Sequence, residues 1–309
     1  MQEAHMTFFD FMEKFPTEKS VIEYFIKIRY NNVLVCPHCG SKVHVQHRND
    51  KLKLCNCHNC NNTFSPFKNT IFEKSSTDLC KWFYAAHLFL NSKKGISGLQ
   101  LQREIGVTYK TAWRMLKQIR SAMGNVDMSK AFEAMVEIDE AYIGGKPRKE
   151  NNQIHGTAKR GKGTKKTPVI GVKERGSNRV YAKVTLPDEN GKKLTGKQLF
   201  NVLDAVCKND AIVLTDDYYG YGFLDDEKRN PNNYIHISVN HSLGQYSAGK
   251  GINTNGIESF WALLKRGILG IYHHVSVKYM QEYVNEFCFR QNNGTGSFDA
   301  LIRQGIMAA

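Results

Sequence analysis

The sequence predicts an α+β multidomain protein, on three observations. Two Cys-x-x-Cys pairs, Cys36–Cys39 and Cys57–Cys60, are separated by residues 40–56 in a stretch rich in Cys, Asn and Lys. Apolar residues at three- and four-residue steps mark helices over residues 1–30 and again over Asp78–Met123. From Asp139 onward, β-branched runs bounded by Gly, Ser and Asn read as strands. These shifts divide the chain into residues 1–72 (helices and a cysteine module), 73–128 (helical) and 129–309 (α/β).

Length and charge bound the function. At 309 residues there is room for two or three domains. No run approaches the roughly 18 apolar residues of a membrane span. The polar start Met1-Gln2-Glu3-Ala4-His5 has no signal-peptide core after it, so the expected location is the cytoplasm, with no membrane partner. Lys and Arg number 43 against 29 Asp and Glu, a net charge of +14 that favours a polyanion such as nucleic acid. The Lys/Gly segment Gly156–Lys166 cannot bury a core and reads as a loop.

In a reducing compartment eight cysteines are poor disulfide candidates, and clustered ones point to metal. Each Cys-x-x-Cys knuckle turns two thiolates to one side, so Cys36, Cys39, Cys57 and Cys60 complete a closed tetrahedral set suited to structural Zn²⁺, at a spacing in the range of zinc ribbons. Cys55 competes with Cys57 for the fourth place, but Cys55 to Cys60 is not a knuckle spacing. Lys42–Val45 and Lys51–Leu54 read as the strands between the knuckles. His38 and His58 read as surface groups, and Cys80, Cys207 and Cys288 as packing residues.

The segment Gly95–Leu116 has a helix-turn-helix layout. Ser97 and Thr108 are N-caps, Gly106 opens the turn, and Leu101 and Ile105 face inward. Ala112, Trp113 and Leu116 are expected to face inward from the second helix. Tyr109, Lys110, Thr111, Arg114 and Lys117 are then the outward, DNA-facing set.

Three acidic settings follow. Val136–Gly145 is a strand with Asp139 at its centre. Alternation puts Val136 and Ile138 on one face and Glu137 and Asp139 on the other, away from the apolar side. Ala211–Leu214 is a buried-type strand ending at Asp216 and Asp217. Thr254–Gly267 is a capped helix with an apolar stripe of Ile257, Trp261, Leu264 and Ile268, and with Glu258, Ala262 and Lys265 along its edge. Carboxylates converging from two strands and a helix would hold two hard cations, Mg²⁺ or Mn²⁺, roughly 4 Å apart for in-line phosphoryl transfer. Spacing leaves Glu140 as a rival to Asp139 and Asp217 as a rival to Asp216.

Over nearly its whole length the chain resembles the zinc-ribbon insertion-sequence transposases of the DDE class, in the ISXO-like branch. The resemblance runs through the Cys36–Cys60 ribbon, Asn69-Thr70-Ile71-Phe72, Trp82 and the helix-turn-helix. It continues through Glu137-Ile138-Asp139-Glu140-Ala141-Tyr142, Thr215-Asp216 with Tyr221, and Val239-Asn240-His241-Ser242. Its most specific block is Ile257-Glu258-Ser259-Phe260-Trp261 with Leu264-Lys265-Arg266-Gly267, followed by Tyr272-His273 and by Glu286, Arg290 and Asn292. What it implies is an RNase H-like α/β catalytic domain in residues 129–309, with Asp139, Asp216 and Glu258 as metal ligands and Lys265 as the basic residue after the Glu. It also implies cleavage and strand transfer on double-stranded DNA, at terminal inverted repeats and target, by a homodimer or higher oligomer beside the nucleoid. His241 would serve DNA, the metal shell or the fold. Two other functions suit the same residues: a DNA-binding regulator without catalysis, and a nuclease that cuts without joining.

Overall fold

A computed structural model describes residues 6–43, 47–48, 51–124, 132–133, 135–144, 166–189, 191–192, 194–239, 253–294 and 297–305. His241 and all of Gly156–Lys166 except its last residue lie outside the described residues. The chain forms two compact units, Met1–Val126 with Asn293–Ala309, and Asp127–Asn292.

The first unit opens with α1 (Phe8–Lys14) and α2 (Glu18–Tyr30), each begun by a threonine capping box, at Thr7 and Thr17. Short strands follow: β1 (Leu34–Val35), β2 (Lys42–Val43), β3 (His47–Arg48), β4 (Lys51–Asn56) and β5 (Thr63–Phe64). β1 pairs with β2, while β3, β4 and β5 form an antiparallel sheet. The chain leaving β5 sends Phe67 and Phe72 into the helical core. Phe67 lies 4.7 Å from Phe25 between ring centroids, and Phe72 stacks at 5.7 Å on Phe83 of α3 (Leu79–Asn91). Trp82 is fully buried, and its indole N–H donates to Ser75 Oγ at 2.9 Å. The resemblance residues Phe72 and Trp82 therefore join the strand module to the helices.

α4 (Gly98–Ile105) and α5 (Tyr109–Met123) complete the helical part with the expected caps. Ser97 accepts from Gln100 N, Thr108 accepts from Thr111 N, and Gly106 closes α4 in the left-handed region at φ 60. The end of the chain also belongs here, although contiguity assigned it to the second domain. On α9 (Ser297–Ala300), Phe298 packs against Phe15, Tyr24 and Phe83, and the Tyr24 hydroxyl donates to Asp299. Leu301 and Ile302 are buried as well, so this segment fills a core that the N-terminal helices leave open.

The second unit is built on a five-stranded sheet in the order β10-β9-β6-β7-β8. β6 (Met135–Ile143) is the centre, antiparallel to β7 (Thr167–Glu174) and parallel to β9 (Ile212–Thr215). β8 (Val180–Val184) and β10 (Ile235–Ser238) are the edges. One face packs Val136, Ile138, Ile170 and Val172 against Leu199, Val202 and Leu203 of α6 (Gly196–Val206). The other packs Ala141, Ile143 and Val169 against α7 (Asn255–Gly267) and α8 (Met280–Asn293). Both faces are therefore covered, and the α/β architecture agrees with the strand-rich second half. The helices supply what the strand reading omitted.

The motif residues near the end of this unit are structural. Glu286 is fully buried, and its carboxylate accepts from the Tyr272 hydroxyl and from Arg290. Asn292 exchanges two hydrogen bonds with the backbone of Val180, satisfying one residue of edge strand β8. Among the described residues, no helix is long and apolar enough to cross a membrane.

Candidate functional site

The four expected thiols come together. The Sγ atoms of Cys36, Cys39, Cys57 and Cys60 all lie within 4.8 Å of one another. The two knuckles repeat the same turn: Gly40 N donates to Cys36 O, and Asn61 N donates to Cys57 O. Cys55 is excluded. Its side chain is fully buried in β4, and burial pushes its thiol up to about 11. Ser41 Oγ sits 3.3 Å from Cys57 Sγ, and that hydrogen bond, with backbone help, lowers the Cys57 thiol to about 6. Asn59 and Asn62 side-chain amides donate to Cys39 and Cys60. The cluster is a closed four-sulfur set that could hold a zinc ion.

The carboxylates are assembled from distant segments. Asp139 sits in β6 opposite Gly171 of β7, Asp216 immediately follows β9, and Glu258 is in the first turn of α7. Burial first, then the charges of Asp216 and Glu258, push the Asp139 carboxyl up to about 6. The backbone N–H of Glu140 and the Trp261 indole oppose this by favouring the ionised form. Asp216 and Glu258 thus both act on Asp139. The three acids do not form a closed set like the thiols: among the described residues, only the four cysteines bring three or more ligand atoms within 4.8 Å.

Asp139 does not point away from apolar surroundings, as alternation suggested, because α7 covers that face. The Trp261 indole N–H donates to Asp139 Oδ2 at 3.0 Å. This close approach needs glycine at 171, where a Cβ would stand 2.6 Å from the indole ring. Glu137, on the same face and almost fully buried, accepts from Ile257 N at 2.8 Å and lies 3.5 Å from the Arg175 guanidinium. It caps α7 from the sheet and so fixes the height of Glu258 above β6. Thr254 makes no side-chain cap bond, so the expected cap arrives from another strand. Ile257, Trp261, Leu264 and Ile268 are buried, and Glu258, Ala262 and Lys265 are exposed on the helix edge, as the sequence indicated.

The rival acids separate by face. Asp217 is exposed and accepts from Ser238 Oγ, whereas Asp216 takes the Tyr218 N–H and acts on Asp139. Glu140 faces the other side of β6, where the buried Tyr221 donates to it at 3.1 Å. Tyr142, on that side too, has a buried hydroxyl with no hydrogen-bond partner among the described residues. Glu137, Trp261 and Gly171 were not singled out as site residues. Period-two alternation places Glu137 beside Asp139 and the family block contains Trp261, whereas Gly171 carries no such signal.

In the helical pair, Leu101, Ile105, Ala112 and Leu116 are buried as expected. Trp113 is not: it is 36% exposed, and Met115 and Ile119 take the inner positions. The inner stripe runs 112, 115, 116, 119, and residue 113 falls one step round the helix from it. Tyr109, Lys110 and Arg114 are exposed, and Thr111 and Lys117 partly so.

Residues 132–292 match the family model for an ISXO2-like transposase domain. A Halobacterium salinarum protein described as an uncharacterized protein in transposable element ISH50 is 27% identical over 289 residues, covering 91% of this chain and 92% of its own. Among solved structures, the simian T-cell lymphotropic virus intasome in complex with PP2A regulatory subunit B56 gamma aligns at TM-score 0.31 and 11% identity. That alignment covers 65% of this chain and 66% of that one, just under two thirds. The Mos1 transposase paired-end complex with left transposon end aligns at TM-score 0.30 and 11% identity, over 71% and 77%. Superpositions this loose fix no residue-by-residue correspondence.

Proposed function

Because this chain belongs to the ISXO2-like transposase family, we propose that it cuts DNA at the ends of an insertion sequence and joins them to target DNA, using Asp139, Asp216 and Glu258. The observation that carries this reading is geometric: Asp139 lies in β6, Asp216 follows the adjoining parallel strand β9, and Glu258 is in the first turn of α7, whose Trp261 donates to Asp139. A buried carboxylate acted on by two others suits a cationic occupant, and an all-oxygen donor set suits magnesium or manganese rather than zinc. Two such cations would activate the attacking oxygen and stabilise the leaving one during in-line displacement.

The chain's own groups then have distinct tasks in an RNase H-like domain. Trp261 holds Asp139 in one rotamer, and the Tyr218 N–H does the same for Asp216. Glu137 sets α7, so that Glu258 and Lys265 share one exposed edge, and Lys265 neutralises a backbone phosphate. Water first opens the phosphodiester to free a 3′-hydroxyl, which then attacks the target strand in the same site. The thiol cluster holds structural zinc. The ribbon and the helix-turn-helix bind the terminal repeats through Tyr109, Lys110, Thr111, Arg114 and Lys117, and a dimer pairs the two ends.

Purified chain incubated with Mg²⁺ or Mn²⁺, labelled terminal-repeat DNA and a target plasmid tests this. Cleavage and joining are expected. Asp139→Asn, Asp216→Asn and Glu258→Gln should each lower both steps by about a thousandfold or more while leaving DNA binding intact. Binding without cleavage identifies a regulator, and cleavage without joining a nuclease.

A further inference from the structure

The outward position of Trp113 has a consequence for how DNA is read. α5 presents Lys110, Arg114 and Lys117 outward, with Arg120 buried and no acidic residue, and its inner face is filled by Ala112, Met115, Leu116 and Ile119. Trp113 lies outside that buried stripe, with 36% of its surface exposed. Its ring lies on the outer face one turn after Tyr109 and one turn before Lys117, whose Nζ is 6.0 Å from the ring centroid. Tyr109 is 49% exposed, and its ring rests against Gly98, where a Cβ would come within 3.0 Å. Leu99, 56% exposed, lies in the first turn of α4. Apolar rings thus alternate with cations over the first two turns of α5. A helix with that charge suits a polyanion, and one element of double-stranded DNA is apolar and sequence-specific: the thymine C5-methyl in the major groove.

We propose that Trp113 is a specificity residue, its indole packing against a thymine methyl while Lys110, Arg114 and Lys117 hold the flanking phosphates. The inference rests on the reading that α4 and α5 dock on DNA, and it adds which base is read and by what. Contacts to phosphates hold register without carrying sequence, so direct discrimination comes from groups that reach base edges.

The test uses the full chain and a duplex enriched by that chain from a random-sequence pool. Each thymine is replaced in turn by deoxyuridine, which removes only the methyl. Wild-type protein should lose affinity roughly three- to fivefold at one or two thymines, the value of one methyl buried against an aromatic ring. Trp113→Ala should abolish the loss at those positions, and Trp113→Phe should retain part of it. Both should keep the wild-type slope of affinity against salt, because no charge is removed. The inference is overturned if no deoxyuridine weakens wild-type binding, or if the loss persists unchanged in Trp113→Ala. It is also overturned if that variant instead changes the oligomeric state, which would make the patch a protein interface. Failure to enrich any sequence would defeat end recognition itself, whereas enrichment without a methyl effect defeats only this inference. The wild-type scan involves no mutation, so a folding defect in a variant leaves it decisive.

Discussion

In the first unit, four thiols from two knuckles come within 4.8 Å of one another. In the second, carboxylates arrive from a central strand, the end of its neighbour and a helix, and the last two act on the first without forming such a closed set. The thiol cluster is made by local turns, and hydrogen bonds to its sulfurs, such as Ser41 to Cys57, prepare it for a cation. The carboxylate cluster is made by tertiary packing. Glu137 ties α7 to β6, Trp261 ties the same helix to Asp139, and Gly171 leaves room for the indole. A closed site can serve structure alone, while an open one leaves ligand positions for substrate.

That contrast orders the expected effects. Removing zinc should have the largest, because a module of two- to six-residue strands has little core of its own and structural zinc contributes on the order of 10 kcal/mol. A chelator should expose the 33–64 segment to proteolysis, followed by zinc release to a colorimetric indicator. A ribbon that resists proteolysis after zinc is gone would erase the contrast.

Gly171→Ala comes next. The new methyl overlaps the Trp261 ring, and overpacking of this kind costs about 1–3 kcal/mol. DNA cleavage should fall together with the thermal midpoint. Adding Trp261→Phe should recover the midpoint but not the cleavage, since phenylalanine cannot donate to Asp139. Full recovery of both would deny the indole its positioning task.

The smallest effect is a stability gain. The Asp139 carboxyl is raised from its ordinary 3.8 to about 6, so the folded chain holds that proton more tightly than the unfolded chain. Stability without added magnesium or manganese therefore falls as pH rises from about 4 to about 6. Asp139→Asn has no charge to bury and should be more stable than wild type by on the order of 1–2 kcal/mol at pH 7. The advantage should vanish near pH 4, as read by denaturant melts at both values. An equal gain at both would mean that neither the burial of the charge nor its repulsion by Asp216 and Glu258 has a part in it.

The same contrast explains what the sequence made legible. The thiol cluster follows from spacing over 25 residues, Cys36 to Cys60, and the caps at Ser97 and Thr108 from residues three apart. The edge of α7 bearing Glu258 and Lys265 follows from a helical period. Period alone misplaced Trp113, because the buried arc of α5 is centred on Ala112, Met115, Leu116 and Ile119, and residue 113 falls a step of about 100° beyond Ala112, on its rim. Strand alternation found the shared face of Glu137 and Asp139 but not the helix that covers it, which comes from more than a hundred residues away. For the same reason it could not choose between Asp216 and Asp217. The place of Phe298 and Ile302 in the first unit was equally hidden, since nothing local says which core a terminal segment completes.

Mn²⁺ binding tests most directly the proposal that Asp139, Asp216 and Glu258 form one cation site. Calorimetric titration of zinc-loaded protein should show binding in wild type. Each of Asp139→Asn, Asp216→Asn and Glu258→Gln should weaken it by at least tenfold, and Asp217→Asn should not. Unchanged Mn²⁺ affinity in any of the first three variants, with the fold intact, would contradict the account.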